Sequence, residues 1–270
     1  MIGAIVLVPV LVSVMVIVAL TKQEESSAPT GRGGAERAAA LAASVPVSVL
    51  DAVGMGSGIT PPRALPPDTP PLAVGGVPEV VYIGAEYCPF CAAQTWPIVV
   101  ALSRFGAFSG LGATESSAAD VFPRTQTFTF YGATYTSDVV VFTGVETETN
   151  QPAPGGGYTP LQALTPEQEQ LLGTYDVAPY TDSPGAIPFL MIGNRYLSVG
   201  SGFDPSVLKG ASRDEIARAL SDPSSPIAQG VNGTANALTA AICGLTENRP
   251  AAVCKNPVIA SIAAQLSSAS

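Results

Sequence analysis

The chain has 270 residues, 47% of them apolar, enough for a sizeable core in one or two domains. Its net charge of −9 comes without a basic patch, which excludes binding that works by neutralising nucleic-acid phosphates. Histidine is absent, which excludes Ser-His-Asp and Cys-His catalysis and any His-ligated metal site.

Residues 1–20, MIGAIVLVPVLVSVMVIVAL, carry no charged side chain. Twenty helical residues span about 30 Å, one hydrocarbon core, so a transmembrane anchor is expected; the run is longer than the apolar part of a signal peptide. Lys22, Arg32 and Arg37 follow the span and no basic residue precedes it, which on the positive-inside rule leans toward a cytoplasmic C-terminal part. Two cysteine pairs, 88/91 and 243/254, favour an oxidising compartment instead, and the expectation is a single-pass membrane protein with an extracytoplasmic domain.

Residues 21–78 read as a Pro-, Gly- and Ser-rich linker. Within it, 36–53 has helical patches broken by Pro46 and suits a short element docked on the main domain. Seven prolines between 59 and 78 predict a stiff connector that stays out of any sheet. The main domain is expected over 79–270. Val80-Val81-Tyr82-Ile83-Gly84 predicts a buried strand. From Ala92 to about Arg104, positions 95, 98, 99 and 102 recur at helical spacing around an internal Pro97.

Residues 106–125 read as loop, Phe128-Thr129-Phe130-Tyr131 and Val139-Val140-Val141-Phe142 as strands split by a turn, and 150–160 as loop again. Thr165, Pro166 and Gln168 form a capping box that opens a helix. A strand over 187–192 turns at Gly193-Asn194 and returns through Val199. Ser212 and Glu215 cap a helix through Leu220, and two more helices are expected at about 234–244 and 251–266. Asn232-Gly233-Thr234 is a glycosylation sequon by pattern and reads as a helix-start turn. Gly155-Gly156-Gly157 lacks the Lys-Ser or Lys-Thr of a phosphate loop.

Cys88-Pro89-Phe90-Cys91 lies between the first predicted strand and helix. Unpaired N–H groups and the dipole at a helix start favour an anion, so Cys88 is expected to have a depressed pKa and to attack as the thiolate, with Cys91 resolving. Pro89 has no N–H to lose and a φ suited to a helix start. Phe90 adds an apolar face, and Glu86 opposes thiolate formation. Trp96 reads chiefly as core packing. A zinc site would need two further ligands that the cysteine spacing does not offer.

These residues resemble the thioredoxin superfamily: the run from Val81 to Cys91 matches its strand and active-site loop, and Ile187-Pro188 its cis-proline facing the dicysteine. The chain is also similar to a family of membrane-anchored thioredoxin-like proteins of actinobacteria and archaea, known as a domain of unknown function. The shared segments are YIGAEYCPFCAAQTW, TFTFYGATYTS, LTPEQ, AIPFLMIGNRY and TAAICGLTENRPAAVC, spread over roughly 45–260. The resemblance implies an α/β thioredoxin-like fold with a C-terminal helical extension. Since Cys91 and Pro188 are 97 positions apart, it also implies an insertion between the dicysteine helix and the cis-proline strand.

Where that superfamily keeps a buried acid, six positions before the first cysteine, this chain has Tyr82. Cys243 and Cys254 are expected to form a structural disulfide across a helical hairpin; a relay pair is the alternative. The function expected is thiol–disulfide exchange on extracytoplasmic proteins with no cofactor or metal, partnered by a membrane thiol oxidase or reductase. The rivals are a non-catalytic binding module and a membrane-tethered metal-delivery factor.

Overall fold

The computed structural model describes residues 32–268, and the predicted anchor over 1–20 lies outside them. Among the described residues no helix is long and apolar enough to cross a membrane. The chain opens with helices α1 (Arg32–Ala43) and α2 (Val47–Val53), then short strands β1 (Arg63–Ala64) and β2 (Ala73–Val74). Strand β3 (Val77–Gly84) leads into helix α3 (Pro89–Leu102). Next come β4 (Ala107–Ser109), β5 (Gly112–Glu115), β6 (Gln126–Thr129), β7 (Thr134–Thr136), β8 (Val141–Glu146), β9 (Glu148–Pro152) and β10 (Tyr158–Pro160). Helix α4 (Pro166–Tyr175), the hairpin β11 (Phe189–Ile192) and β12 (Tyr196–Val199), and a 3₁₀ turn (Pro205–Leu208) follow. Helices α5 (Arg213–Ala219), α6 (Pro226–Leu245), α7 (Ala251–Cys254) and α8 (Pro257–Ser268) complete the mixed α/β fold.

The central mixed sheet runs β1-β12-β11-β3. β3 pairs in addition with β2 through its first residues and with β8 through the rest. β8 is parallel to β3 and the other pairs are antiparallel. Period-2 alternation sorts the side chains. Val80, Tyr82, Leu190 and Ile192 face one core, shared with Ile98, Val99 and Leu102 of α3 and Leu238 and Ile242 of α6. Val81, Ile83, Val145, Phe189, Met191 and Leu197 face a second, covered by Leu171, Leu172 and Tyr175 of α4.

Two capping boxes form as expected, at Thr165 and Ser212. Thr165→Ala is expected to destabilise the protein by about 1 kcal/mol in urea denaturation. No change would mean that docking, not capping, holds α4.

The structure corrects several expectations. The Pro-rich segment does join the sheet: Arg63 and Ala64 pair with Leu197 and Tyr196, and Ala73 and Val74 with Pro78 and Val77. Each strand is two residues long and lies at an edge, where a neighbouring proline's missing N–H leaves no ladder bond unmade. Residues 106–125 contain β4 and β5, and 150–160 closes the β9–β10 hairpin. The strands expected around 128–131 and 139–142 pair with other partners, β6 with β5 and β8 with β3. Helix α6 begins at the Ser225 cap and Pro226, well before 234. Asn232 is therefore mid-helix and fully buried, its amide donating to the Leu220 carbonyl (2.9 Å). Gly233 is needed there for closeness, since a Cβ would approach the Met55 carbonyl oxygen to 2.6 Å. The docking expected of 36–53 is present in α1 and α2: Ala35 and Ala38 are fully buried, and the Asn236 amide donates to the Leu50 and Gly54 carbonyls (2.8 and 2.7 Å).

Candidate active site

Strand β3 delivers the chain to the N-terminus of α3, where Cys88 is the N-cap in an extended conformation (φ −78°, ψ 122°) and Pro89 opens the helix. The helix is buried all round except at Phe90, so its start is held rigidly by core packing rather than by one apolar stripe. The Cys91 N–H donates to the Cys88 sulfur at 3.2 Å, the bond an N-cap acceptor makes to the first turn. Cys88 and Cys91 are both free thiols, 5% and 2% exposed.

The two thiols differ in acidity. The hydrogen bond from the Cys91 side chain holds Cys88 below an ordinary thiol; burial opposes this, the Cys91 and Phe90 amides add to it, and Asp120 opposes it. Burial pushes Cys91 well above an ordinary thiol, reinforced by its hydrogen bond to Cys88 and by the charges of Cys88 and Glu146. The outer sulfur is thus the more acidic of the two and the inner one the less acidic.

The Ile187–Pro188 peptide is cis, and the Cys88 thiol donates to the Ile187 carbonyl at 3.7 Å, across 99 positions of sequence. Residues on either side of Cys88 in the chain each join an aromatic pair. Phe90, 37% exposed, meets Phe122 edge-on with centroids 5.8 Å apart, and Tyr87 stacks on Tyr158 at 4.1 Å and 4°. Phe122 and Tyr158 come from the long segment between α3 and β11, which is tied down where the Ser117 N–H donates to the Tyr87 carbonyl (2.8 Å).

Beneath the dicysteine, Tyr82 is fully buried and its hydroxyl has no hydrogen-bond partner among the described residues. It lies over Gly84, where a Cβ would collide with it. The nearby Thr95 hydroxyl donates instead to the Cys91 carbonyl (3.0 Å). Beside Tyr82 is a carboxyl that the sequence reading passed over. Glu146, 2% exposed, pairs in register with Gly84, and its Oε2 has no partner. Burial pushes its pKa up to about 8, against the Phe130 amide that donates to Oε1 at 3.4 Å; Glu86 and Cys88 add to the rise.

Trp96 is fully buried, its indole N–H donating to the Gln126 carbonyl (3.0 Å) and its ring against Phe128, so it is a core residue. Asp120 and Glu146 are carboxylates that bear on Cys88, whereas Glu86 bears on Glu146. Asp120, Phe122, Glu146 and Tyr158 were missed because each reaches the site through tertiary pairing. The single local signal for Glu146 was an acid ending an apolar, strand-forming run over 139–146.

Cys243 and Cys254 are disulfide-bonded, with Cα atoms 5.4 Å apart. The bridge joins the end of α6 to α7. Neighbouring Leu245 and Gly244 lie against Gly193 and Tyr196, at the end of the β11–β12 hairpin opposite Ile187 and Cys88. A relay through this pair would have to run the length of the hairpin, since the two pairs border the same core at its opposite ends. Replacing both cysteines by alanine is expected to lower stability by about 2–3 kcal/mol while leaving Cys88 alkylation unchanged. A fall in Cys88 reactivity at unchanged fold would revive the relay.

A family model described as "Domain of unknown function (DUF929)" matches residues 68–244, well over half of the chain and including the dicysteine, Glu146 and the cis-proline. No curated protein and no solved structure matches the chain.

Proposed function

Because the chain belongs to the DUF929 family, whose description carries no activity, its function is read from the dicysteine site, and we propose that it is a thiol–disulfide oxidoreductase. Cys88 attacks a protein disulfide or is attacked as part of one, and Cys91 resolves the mixed disulfide. The observation that carries this is the asymmetry of the pair: one sulfur at a helix N-terminus accepts a backbone N–H and has its pKa lowered, and the other is buried with its pKa raised. A structural CxxC gains nothing from such a difference.

A thioredoxin-like core is part of the same proposal. It is supported by the strand order β8-β3-β11-β12, by the dicysteine at the start of the helix after β3, and by the cis-proline just before β11 opposite Cys88. The aromatic pairs at the rim and the Ile187-Pro188 turn would hold an extended substrate segment. Anchorage through residues 1–20, an extracytoplasmic site and turnover by a membrane thiol oxidase or reductase complete it.

The test is a titration of the full-length chain in detergent against glutathione ratios, with free thiols trapped and located by mass spectrometry. A reversible Cys88/Cys91 midpoint between roughly −120 and −230 mV is expected for an oxidase- or isomerase-type centre, and one near about −270 mV for a reductant. A pair that never exchanges would sink the enzyme proposal in favour of a binding module.

A further inference from the structure

Glu146 is a buried carboxyl that forms no ion pair among the described residues, and a fold does not retain such a group without cost. Three placements bring it to the dicysteine. It ends β8 in register with Gly84, the last residue of β3. The next residue, Ala85, turns its amide to the Cys91 sulfur. The missing side chain at Gly84 leaves the space occupied by the Tyr82 hydroxyl, and the two residues with unpartnered buried oxygens there, Tyr82 (Oη) and Glu146 (Oε2), both interact electrostatically with the inner thiol.

We propose that Glu146 takes up and returns the proton of Cys91 when the mixed disulfide is resolved, a role that presupposes the exchange chemistry proposed above. In the resolving step the Cys91 S–H proton passes to the Glu146 carboxylate. The Cys91 thiolate attacks Cys88 Sγ, the Cys88–Cys91 S–S bond forms and the Cys88–substrate S–S bond breaks. The electron pair leaves on the substrate sulfur, which is protonated from solvent. The two enzyme thiols are oxidised and the substrate disulfide is reduced; in the oxidising direction every transfer reverses, and Glu146 returns the proton to Cys91. Glu146 touches no substrate atom and acts only through the Cys91 proton. The titratable groups facing it are Tyr82 on β3, Glu86 beyond it, and Cys88 and Cys91 on α3; all are acids, so no cation clamps the carboxyl in its charged form. Its raised pKa, about 8, brings it near the thiol range, where proton exchange with sulfur is most nearly balanced.

A purely electrostatic neighbour would have the opposite effect. The Glu146 charge raises the Cys91 pKa, so removing it would make Cys91 more acidic and resolution faster. Removing a proton acceptor makes resolution slower.

The reduced full-length chain in detergent is mixed with oxidised glutathione between pH 6 and 9, quenched in acid and weighed. Formation of the Cys88–glutathione adduct reports the first attack, and its decay reports Cys91. In wild type, decay is expected to rise through about pH 8. In Glu146→Gln, formation is expected to be unchanged, while decay at pH 8 slows by about a hundredfold or more, the lower end of general-base effects, and loses that inflection. Glu146→Asp keeps a carboxylate and is expected to keep the pH-dependent rise. Decay in Glu146→Gln at or above the wild-type rate overturns the proposal. Should Glu146→Gln lose its cooperative unfolding, a wild-type decay rate flat from pH 6.5 to 9 overturns it instead. A wild type that forms no adduct at Cys88 overturns the exchange function itself, and this role with it.

Discussion

Cys88→Ser is expected to reduce thiol–disulfide exchange by about 10³-fold or more, in the range seen when a nucleophile is deleted. Cys91→Ser is expected to leave the first attack intact and trap the protein on its substrate. The difference follows from position in the first turn of α3. Cys88 is the N-cap, its sulfur already accepting the Cys91 N–H at 3.2 Å, so its thiolate form is stabilised before any substrate arrives. Cys91 is one turn in and 2% exposed, so the sulfur within its reach is that of Cys88, which it attacks once Cys88 carries a substrate. Serine at 91 keeps the backbone donor, and a mixed disulfide at Cys88 then has no intramolecular route to release. Non-reducing electrophoresis of membranes carrying each variant reads this directly: adducts that collapse on reduction should accumulate with Cys91→Ser and be absent with Cys88→Ser. Adducts through Cys91 in the Cys88→Ser protein would reverse the assignment of the two sulfurs.

The second large effect is on stability against pH. The folded pKa of Glu146, about 8, lies above its unfolded value of 4.5 because burial disfavours the charged form. For an acid shifted upward the unfolded chain ionises first. Stability from this group is therefore intact below about pH 4.5 and is lost as pH rises toward 8. A shift of this size corresponds to about 3–5 kcal/mol at 1.36 kcal/mol per pKa unit. The measurement compares urea denaturation of Glu146 and Glu146→Gln proteins in a Cys88→Ala, Cys91→Ala background, which removes the titration of the thiols. The two should be nearly equal at pH 4, and the glutamine variant should be the more stable by that amount at pH 9. A difference that does not change between pH 4 and 9 would mean that water reaches the carboxyl and that the group is not held in an apolar site. The stability cost is what would be expected of a residue kept for chemistry rather than for folding.

Features with causes inside a few residues were legible before the fold. A strand, two cysteines three apart, and a proline at the first helical position make a helix start facing an open strand end, and they do so in the structure. Thr165 with Gln168 and Ser212 with Glu215 cap their helices by bonds that span three residues. Gly193-Asn194 turns the β11–β12 hairpin with both residues at positive φ, a conformation that glycine and asparagine tolerate. Boundaries that depend on remote partners were less legible. Helix α6 starts early because its glycines are compensated by close packing on Met55 and Phe203, and the Pro-rich segment enters the sheet because β12 presents a free edge and the first two residues of β3 extend beyond β11 and β8.

The sequence by itself determined the candidate group: which two thiols are paired, at which end of which helix, and which proline follows in a strand. Those are consequences of chemistry and of short-range backbone geometry. The tertiary structure alone decided what surrounds that group. The Ile187 carbonyl comes to Cys88 through the antiparallel pairing of β11 with β3, Tyr158 comes to Tyr87 through the β9–β10 hairpin, and Glu146 comes beneath Cys91 through the parallel register of β8 with β3. A shift of one residue in that last register would turn Glu146 to the opposite face of the sheet, because side chains alternate along a strand; no property of residues 139–146 read alone specifies which face that is.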